Sequence, residues 1–270
     1  MARLQTVSGF IIGIFQNRQY LHAKQSENPI MTMNQQNQLP TKKTIGIHQP
    51  NYIPWLGYFY KIYQSDIFVF LDNVQYSNKG MHDFHYIKNP QGRFRMKIPV
   101  KVNFGDAILD VKLNNELKWR ENQLLQLETN YKKAPYFKEV FQDVQTIFDQ
   151  NADTLSAINI GLIELISAKF GIKTTFVKSS DLSIVDNEKN DRIFSICKEL
   201  NANVYYSGTG AAVYQNANEF KANGIELLYS TFKPFKYPQF WGEFESNISI
   251  LDYLMHCGYD WENVIKNQLS

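Results

Sequence analysis

Two short segments carry most of the chemistry this sequence offers. The first is Thr44-Ile45-Gly46-Ile47-His48-Gln49-Pro50-Asn51-Tyr52-Ile53-Pro54-Trp55-Leu56-Gly57-Tyr58. It reads as a buried strand, a proline-braced turn and the start of an aromatic-rich helix. Proline fixes its own φ and pushes the preceding residue out of right-handed helical space, so Gln49 and Ile53 belong outside it and the turn should be rigid. That turn places one histidine, His48, at the end of a strand. In α/β sheets ligands bind at the carboxyl ends of the strands, and a histidine there can act as a general base. The second segment is Ser207-Gly208-Thr209-Gly210, a glycine-rich turn after a later strand. If it opens a helix, its backbone N–H groups would suit phosphate.

Asp72-Asn73 ends a second apolar strand. Asp72 is a candidate to orient His48 or to hold hydroxyls of a ligand, although Asp and Asn also favour ordinary turns. His48 and Asp72 are thus the candidate catalytic pair. Candidate substrate contacts are Gln49, Tyr52 and Lys79 on the amino-terminal side. Ser207, Gly208, Thr209, Tyr237 and Gln239 are their counterparts further on. Tyr52, Trp55, Tyr58 and Tyr237 could stack on a sugar or a base. Three histidines, His48 with His82-x-x-His85, could in principle ligate a metal. Residues three apart in an extended segment face opposite sides, and His82 sits with Lys79 and Gly80 in an expected exposed loop, so no metal site is expected. Cys197 and Cys257 have no metal or redox spacing, no G-x-S-x-G elbow occurs, and no cofactor is implied.

These residues need a scaffold to position them, and 270 residues suffice for one or two domains with a proper core. A net charge of +2 implies no broad field for nucleic acid. Cys197 falls on the apolar face of a helix as a buried thiol, which fits a reducing cytoplasm. The apolar run Phe10–Phe15 is too short to span a bilayer and lacks a following cleavage site, so no membrane insertion is expected. Residues 1–43 read as a disordered leader or an over-extended start, with Met31 or Met33 as initiator. Residues 44–270 read as a single domain.

From Thr44 onward strands and helices alternate. Thr44–His48 and Asp66–Leu71 read as buried strands joined by a helix over Trp55–Gln64, a minimal βαβ unit. A hairpin is expected over Phe84–Ile87 and Arg93–Val100, around Asn89-Pro90-Gln91-Gly92. Helices follow at Leu117–Lys132, Tyr136–Asp149 and Asp153–Phe170, the last stopped by Gly171. Strands at Thr174–Lys178, Asn203–Ser207 and Ile225–Tyr229 alternate with helices at Glu188–Leu200, Ala211–Tyr214 and Ile248–His256. This pattern predicts a three-layer α/β fold with a mostly parallel, Rossmann-like sheet and an inserted hairpin and helical block.

At these positions the chain resembles the WbqC-like family. The resemblance rests on His48-Gln-Pro50-x-Tyr52-x-Pro54-Trp55-x-Gly57-Tyr58-Phe59, on Asp66-x-Phe68-Val-Phe70-Leu-Asp72-x-Val74-Gln75-Tyr76-Ser77, on Tyr206-Ser207-Gly208 with Tyr214, and on Gln239, Phe244 and Ser249-Ile250-Leu251-Asp252. It covers about Thr44 to Lys266. It implies a part in bacterial surface-polysaccharide (O-antigen-type) synthesis, with a nucleotide sugar as small-molecule substrate and proteins of the glycan pathway as partners. The expected activity is acyl or aminoacyl transfer to a nucleotide-linked amino sugar. Nucleotidyl transfer at the His48 turn and a non-catalytic scaffold role are the alternatives. Family members carry an Arg/Asn-rich run before the hairpin where this chain has Lys79-Gly-Met-His82-Asp-Phe-His85-Tyr-Ile-Lys88. A cationic role would therefore fall to Lys79, Lys88, or protonated His82 and His85.

Overall fold

The computed structural model describes residues 41–185 and 189–270; the expectation for the leader lies, as far as residue 40, outside them. Strand β1 (Thr44–His48) leads through the proline turn to helix α1 (Leu56–Tyr63) and back to β2 (Ile67–Phe70). The hairpin is β3 (Phe84–Asn89) with β4 (Gly92–Lys97), followed by a small ribbon, β5 (Val100–Lys101) with β6 (Lys112–Leu113). Helices α2 (Trp119–Tyr131), α3 (Phe137–Phe148) and α4 (Leu155–Lys169) form the inserted block. The α/β rhythm resumes with β7 (Thr175–Lys178), α5 (Lys189–Glu199), β8 (Val204–Ser207), α6 (Ala217–Ala222) and β9 (Glu226–Tyr229). Two helices close the chain, α7 (Ile250–Cys257) and α8 (Trp261–Leu269).

Five strands make one wholly parallel sheet in the order β7-β2-β1-β8-β9. From β1 the chain first builds outward through β2 and β7, then returns to build β8 and β9 on the other side. The order of construction therefore reverses between β1 and β8, and that gap is where α/β sheets open a crevice at their carboxyl edge. Side chains alternate across each strand. Phe68 and Phe70 enter the larger core with α1, α3, α4 and α7, whereas Ile45, Ile47 and Val69 pack with Ile196, Cys197 and Phe220 of α5 and α6 on the opposite face. The result is the three-layer α/β architecture. Cys197 is fully buried, and burial pushes its thiol up to about 12.

Helix α4 is apolar on nearly every side because it is packed between the sheet and α3. Its amino end is capped by Thr154, whose hydroxyl accepts from the Ala157 N–H at 3.2 Å. Its carboxyl end stops at Gly171, where φ is +74°. The ribbon β5–β6 and helices α6 and α8 were not anticipated from the sequence. Helix α8 did carry a signal in Asp260, whose carboxylate accepts from the Asn263 N–H at 2.9 Å. The Ala211–Tyr214 helix is absent: Thr209–Ala211 makes a single 3-10 turn. Two-residue strands and one-turn helices bury too little to leave a periodic pattern.

The His48 turn is held from several elements at once. The Tyr52 N–H donates to the Met81 carbonyl at 2.9 Å, and Asn159 on α4 donates to both the Pro50 and His82 carbonyls, at 2.9 and 2.7 Å. From α7, the Ser249 hydroxyl donates to the Ile53 carbonyl at 3.0 Å and the Ile250 N–H to the Pro54 carbonyl at 2.9 Å. These clamps retain Ile53 at a φ of +40°, a conformation that costs a β-branched residue roughly 1–3 kcal/mol. Ile53 is thus outside right-handed helical space, but in the left-handed region rather than the extended one. Ser249 also caps α7 by accepting from the Leu251 N–H at 3.2 Å. Ser249→Ala removes both bonds and should cost about 1–2 kcal/mol in urea unfolding; a cost near zero would show that the turn does not need α7.

Candidate functional site

A cleft of about 830 Å³ opens at the β1–β8 switch point. His48 reaches it from the end of β1, and Ser207, Gly208 and Thr209 reach it from the end of β8. Two segments some 160 residues apart in the chain thereby face one cavity. Gly57 contributes the first turn of α1, and a Cβ there would come within 2.7 Å of Phe232. That close approach explains why glycine occupies the position. Gly208 and Gly210 have open space around them, and Gly208 has an ordinary φ of −73°. Because no helix follows, phosphate could be held at that turn by individual N–H groups but not by a helix dipole.

His48 is oriented by a bond between Nδ1 and the Gln49 carbonyl, at 3.0 Å. The same carbonyl accepts the Tyr58 hydroxyl at 2.9 Å. A carbonyl can only accept, so Nδ1 carries the proton and Nε2 keeps its lone pair. Tyr58 and Trp55 pack edge-on to the imidazole, with centroids at 4.8 and 6.1 Å. Desolvation, reinforced by the Lys61 ammonium, pulls the His48 pKa down to about 3. His48 is therefore a neutral hydrogen-bond acceptor across the physiological range.

Lys61 is the functional group that the sequence reading passed over. It lies on α1, is buried, and lines the same cavity. Its ammonium donates to the Ile47 carbonyl at 2.7 Å and sits 5.9 Å from the Tyr205 ring centroid. Burial lowers its pKa to about 7. The signal was present as a lone charge among Leu56, Tyr58, Phe59, Tyr60 and Ile62, where a solvent-facing stripe would have shown more polar neighbours. Arg93 supplies a second cation to the cavity. It rests on the Tyr86 ring at 4.7 Å and donates to the Asn247 carbonyl at 3.0 Å. Among the described residues no carboxylate lines this cavity, whereas Trp55, Tyr58, Tyr86 and Tyr214 do. Two cations without a counter-anion, walled by aromatic rings, are the kind of lining that would suit an anionic ligand with a flat group.

The other expected site residues are dispersed. Asp72 faces a different cavity, and its carboxylate accepts the Ser179 hydroxyl at 3.0 Å, the Ser180 N–H at 3.0 Å and the Ser180 hydroxyl at 2.8 Å. It does not orient His48, whose Nδ1 is already committed to Gln49. Gln49 serves the site through its backbone carbonyl. Tyr52 is fully buried in the core, edge-on to His85. Lys79 is exposed in the turn after Ser77, outside the cleft. Tyr237 and Gln239 are bonded to each other at 3.1 Å, and Gln239 also pairs with both backbone groups of Glu245. They secure the carboxyl-terminal segment and do not line the main cleft. Lys88 is buried, with its ammonium on the Gln239 side chain and the Glu243 carbonyl.

The segment around His82 also differs from expectation. His82 is buried, not exposed, and so is His85, because the loop and β3 fold under the His48 turn. Burial lowers their pKa values to about 4 and about 3. Neither can supply the cation that an Arg/Asn-rich run would, and Arg93 of the hairpin takes that place in the cleft. Among the described residues no group of three or more His, Cys, Asp or Glu is placed to hold a metal ion, and no helix is long and apolar enough to cross a membrane.

No solved structure matches the chain. A Mycobacterium tuberculosis protein with the name "Uncharacterized protein Rv1507c" is 32% identical over 220 residues, which is 80% of this chain and 94% of that protein. The family model of the WbqC-like proteins matches residues 49–263, from the His48 turn through α7 into α8. The chain belongs to the WbqC-like protein family.

Proposed function

We propose that the protein is a transferase of bacterial surface-glycan synthesis that modifies a nucleotide-linked amino sugar by acyl or aminoacyl transfer. The observation that carries this reading is the carboxylate-free cleft with Lys61, Arg93 and aromatic walls at the switch point of a parallel sheet. In this reading the cations and the Gly208–Thr209 amides bind the diphosphate, and an aromatic wall takes the base. The sugar amine then lies against Nε2 of His48. A neutral imidazole is a weak base at a pKa of about 3. Its task is to orient the amine and accept a proton only after the new C–N bond begins to form, when that proton is far more acidic than in the free amine.

Nucleotidyl transfer is the second reading, favoured by the convergence of His48 and the Ser207–Gly210 turn on one cavity. A thermal-shift and turnover screen with nucleotide sugars, acyl donors and nucleoside triphosphates separates the two, because only the second releases pyrophosphate from a triphosphate. His48→Ala should stay folded, retain binding within about fivefold, and lose turnover by roughly 100-fold or more. Unchanged turnover in that variant, or no ligand-induced shift at millimolar concentration, would leave a non-catalytic scaffold as the better account.

A further inference from the structure

We propose that the second cavity, at the carboxyl ends of β2 and β7, is a saccharide site that takes an unphosphorylated amino sugar. This goes beyond the transferase reading and does not depend on it. The cavity measures about 520 Å³, enough for a hexose unit. It is adjacent to the main cleft by construction: His48 and Phe70 are register partners on neighbouring strands, and one lines each cavity.

Its chemistry is the inverse of the main cleft. Asp72, Glu164 and Asp181 line it against the single cation Lys178, which is itself within 3.5 Å of Asp181. A phosphate would be repelled here, while hydroxyl and ammonium donors would find acceptors. Asp72 is held in a fixed orientation by Ser179 and Ser180, so its remaining lone pairs point in defined directions. Apolar surface comes from Phe176, whose ring is backed by the fully buried Phe70 at 5.3 Å and 14°. Phe176 stays partly exposed on the edge strand, as a platform for the C–H face of a pyranose.

The amino end of α4 supplies the donors. Of its first-turn amides, Leu155 donates to the Val111 carbonyl, Ala157 to the Thr154 hydroxyl and Ile158 to the Thr154 carbonyl. The Ser156 N–H has no acceptor among the described residues. The Ser156 side chain, 5% exposed, lines the cavity and its hydroxyl has no protein partner. The Ser156 hydroxyl opens onto the cavity at the first turn of α4, where a sugar hydroxyl can bond it in place of water.

Saturation-transfer NMR on the full chain tests this, with D-glucosamine, methyl glucoside and glucose 6-phosphate at tens of millimolar, a range suited to weak saccharide binding of about 4 kcal/mol. Glucosamine should give the strongest transfer and the phosphate the weakest. Ala157 is exposed on the cavity wall, so Ala157→Trp fills the space without entering the core and should abolish the signal. Ser156→Ala should weaken binding by roughly fivefold, the loss of about one hydrogen bond. Lys61→Met, which alters only the main cleft, should leave it intact. The proposal is overturned if no saccharide gives transfer, if Ala157→Trp leaves it unchanged, or if Lys61→Met removes it.

Discussion

Replacing Lys61 with methionine is expected to weaken nucleotide-sugar binding about 100-fold while raising the melting temperature. The two effects share one cause. Lys61 is buried with a single backbone acceptor, and its pKa falls from 10.5 to about 7. Between those values the unfolded chain binds a proton that the folded chain refuses. The stability cost therefore grows as pH falls from 10.5 to 7 and is complete below 7. Each pKa unit is worth about 1.4 kcal/mol, so the cost at pH 7 is of the order of a few kcal/mol. Methionine keeps the length and shape of the side chain and removes the charge. An anionic ligand reverses the balance, since it can pair with the ammonium and draw the proton back. Affinity should fall about tenfold per pH unit above 7, and titration calorimetry in buffers of different ionisation enthalpy should show proton uptake. Lys61→Met should flatten that slope. A slope that survives the substitution would assign the proton to another group.

Acid should unfold the protein well above the pH at which its carboxylates lose their charge. His82 and His85 are 1% and 0% exposed, with pKa values lowered to about 4 and about 3 by burial. Neither ring nitrogen of His82 has a partner, and His85 is packed edge-on against Tyr52 at 4.9 Å. A depressed histidine pKa means that the unfolded state takes up protons first. The contribution is intact above 6.5 and drains away as pH falls toward the folded value. At pH 5 each of these histidines should have cost the fold roughly 2 kcal/mol, and His48, with its pKa likewise lowered to about 3, brings the sum to about 6, against a total that is commonly 5–15 kcal/mol. Buried Asp252, whose pKa is raised by desolvation, works in the opposite sense, and its protonation recovers part of the loss. Urea unfolding from pH 7.5 to 5 measures the slope, and His85→Gln should remove about a third of it. A stability that is level down to pH 5 would mean that both rings are solvated or paired in the native state.

Both sites show where local and tertiary information divide. The strand–turn–helix around His48 was legible because proline acts on its own residue and the one before it, and because a buried strand needs only a short apolar run. The long helices and the hairpin were legible for the same reason, since their periodicity is local. Asp72 does not reach His48, although its position after β2 suggested a partner across the sheet edge. The register instead directs it to Ser179 and Ser180, more than 100 residues away in the chain. Tyr237 and Gln239 looked like ligand contacts and turned out to hold the segment that closes the fold. His82 looked exposed because its neighbours are polar, but the loop is folded beneath the turn that Asn159 clamps.

By itself, then, the sequence determined the longer helices and main strands, the parallel α/β class and the rigid turn that presents His48. Those follow from dihedral restriction and from hydrophobic period, which act over a few residues. Only the tertiary structure decided that the order of strand addition reverses between β1 and β8, and so which residues share a cavity. It also decided which charges are desolvated. Lys61 and Lys79 are the same residue type, yet one is buried beneath the cleft and the other lies in water. The energy of a charge depends on the medium that the rest of the fold builds around it, and that medium is assembled from segments far apart in the chain.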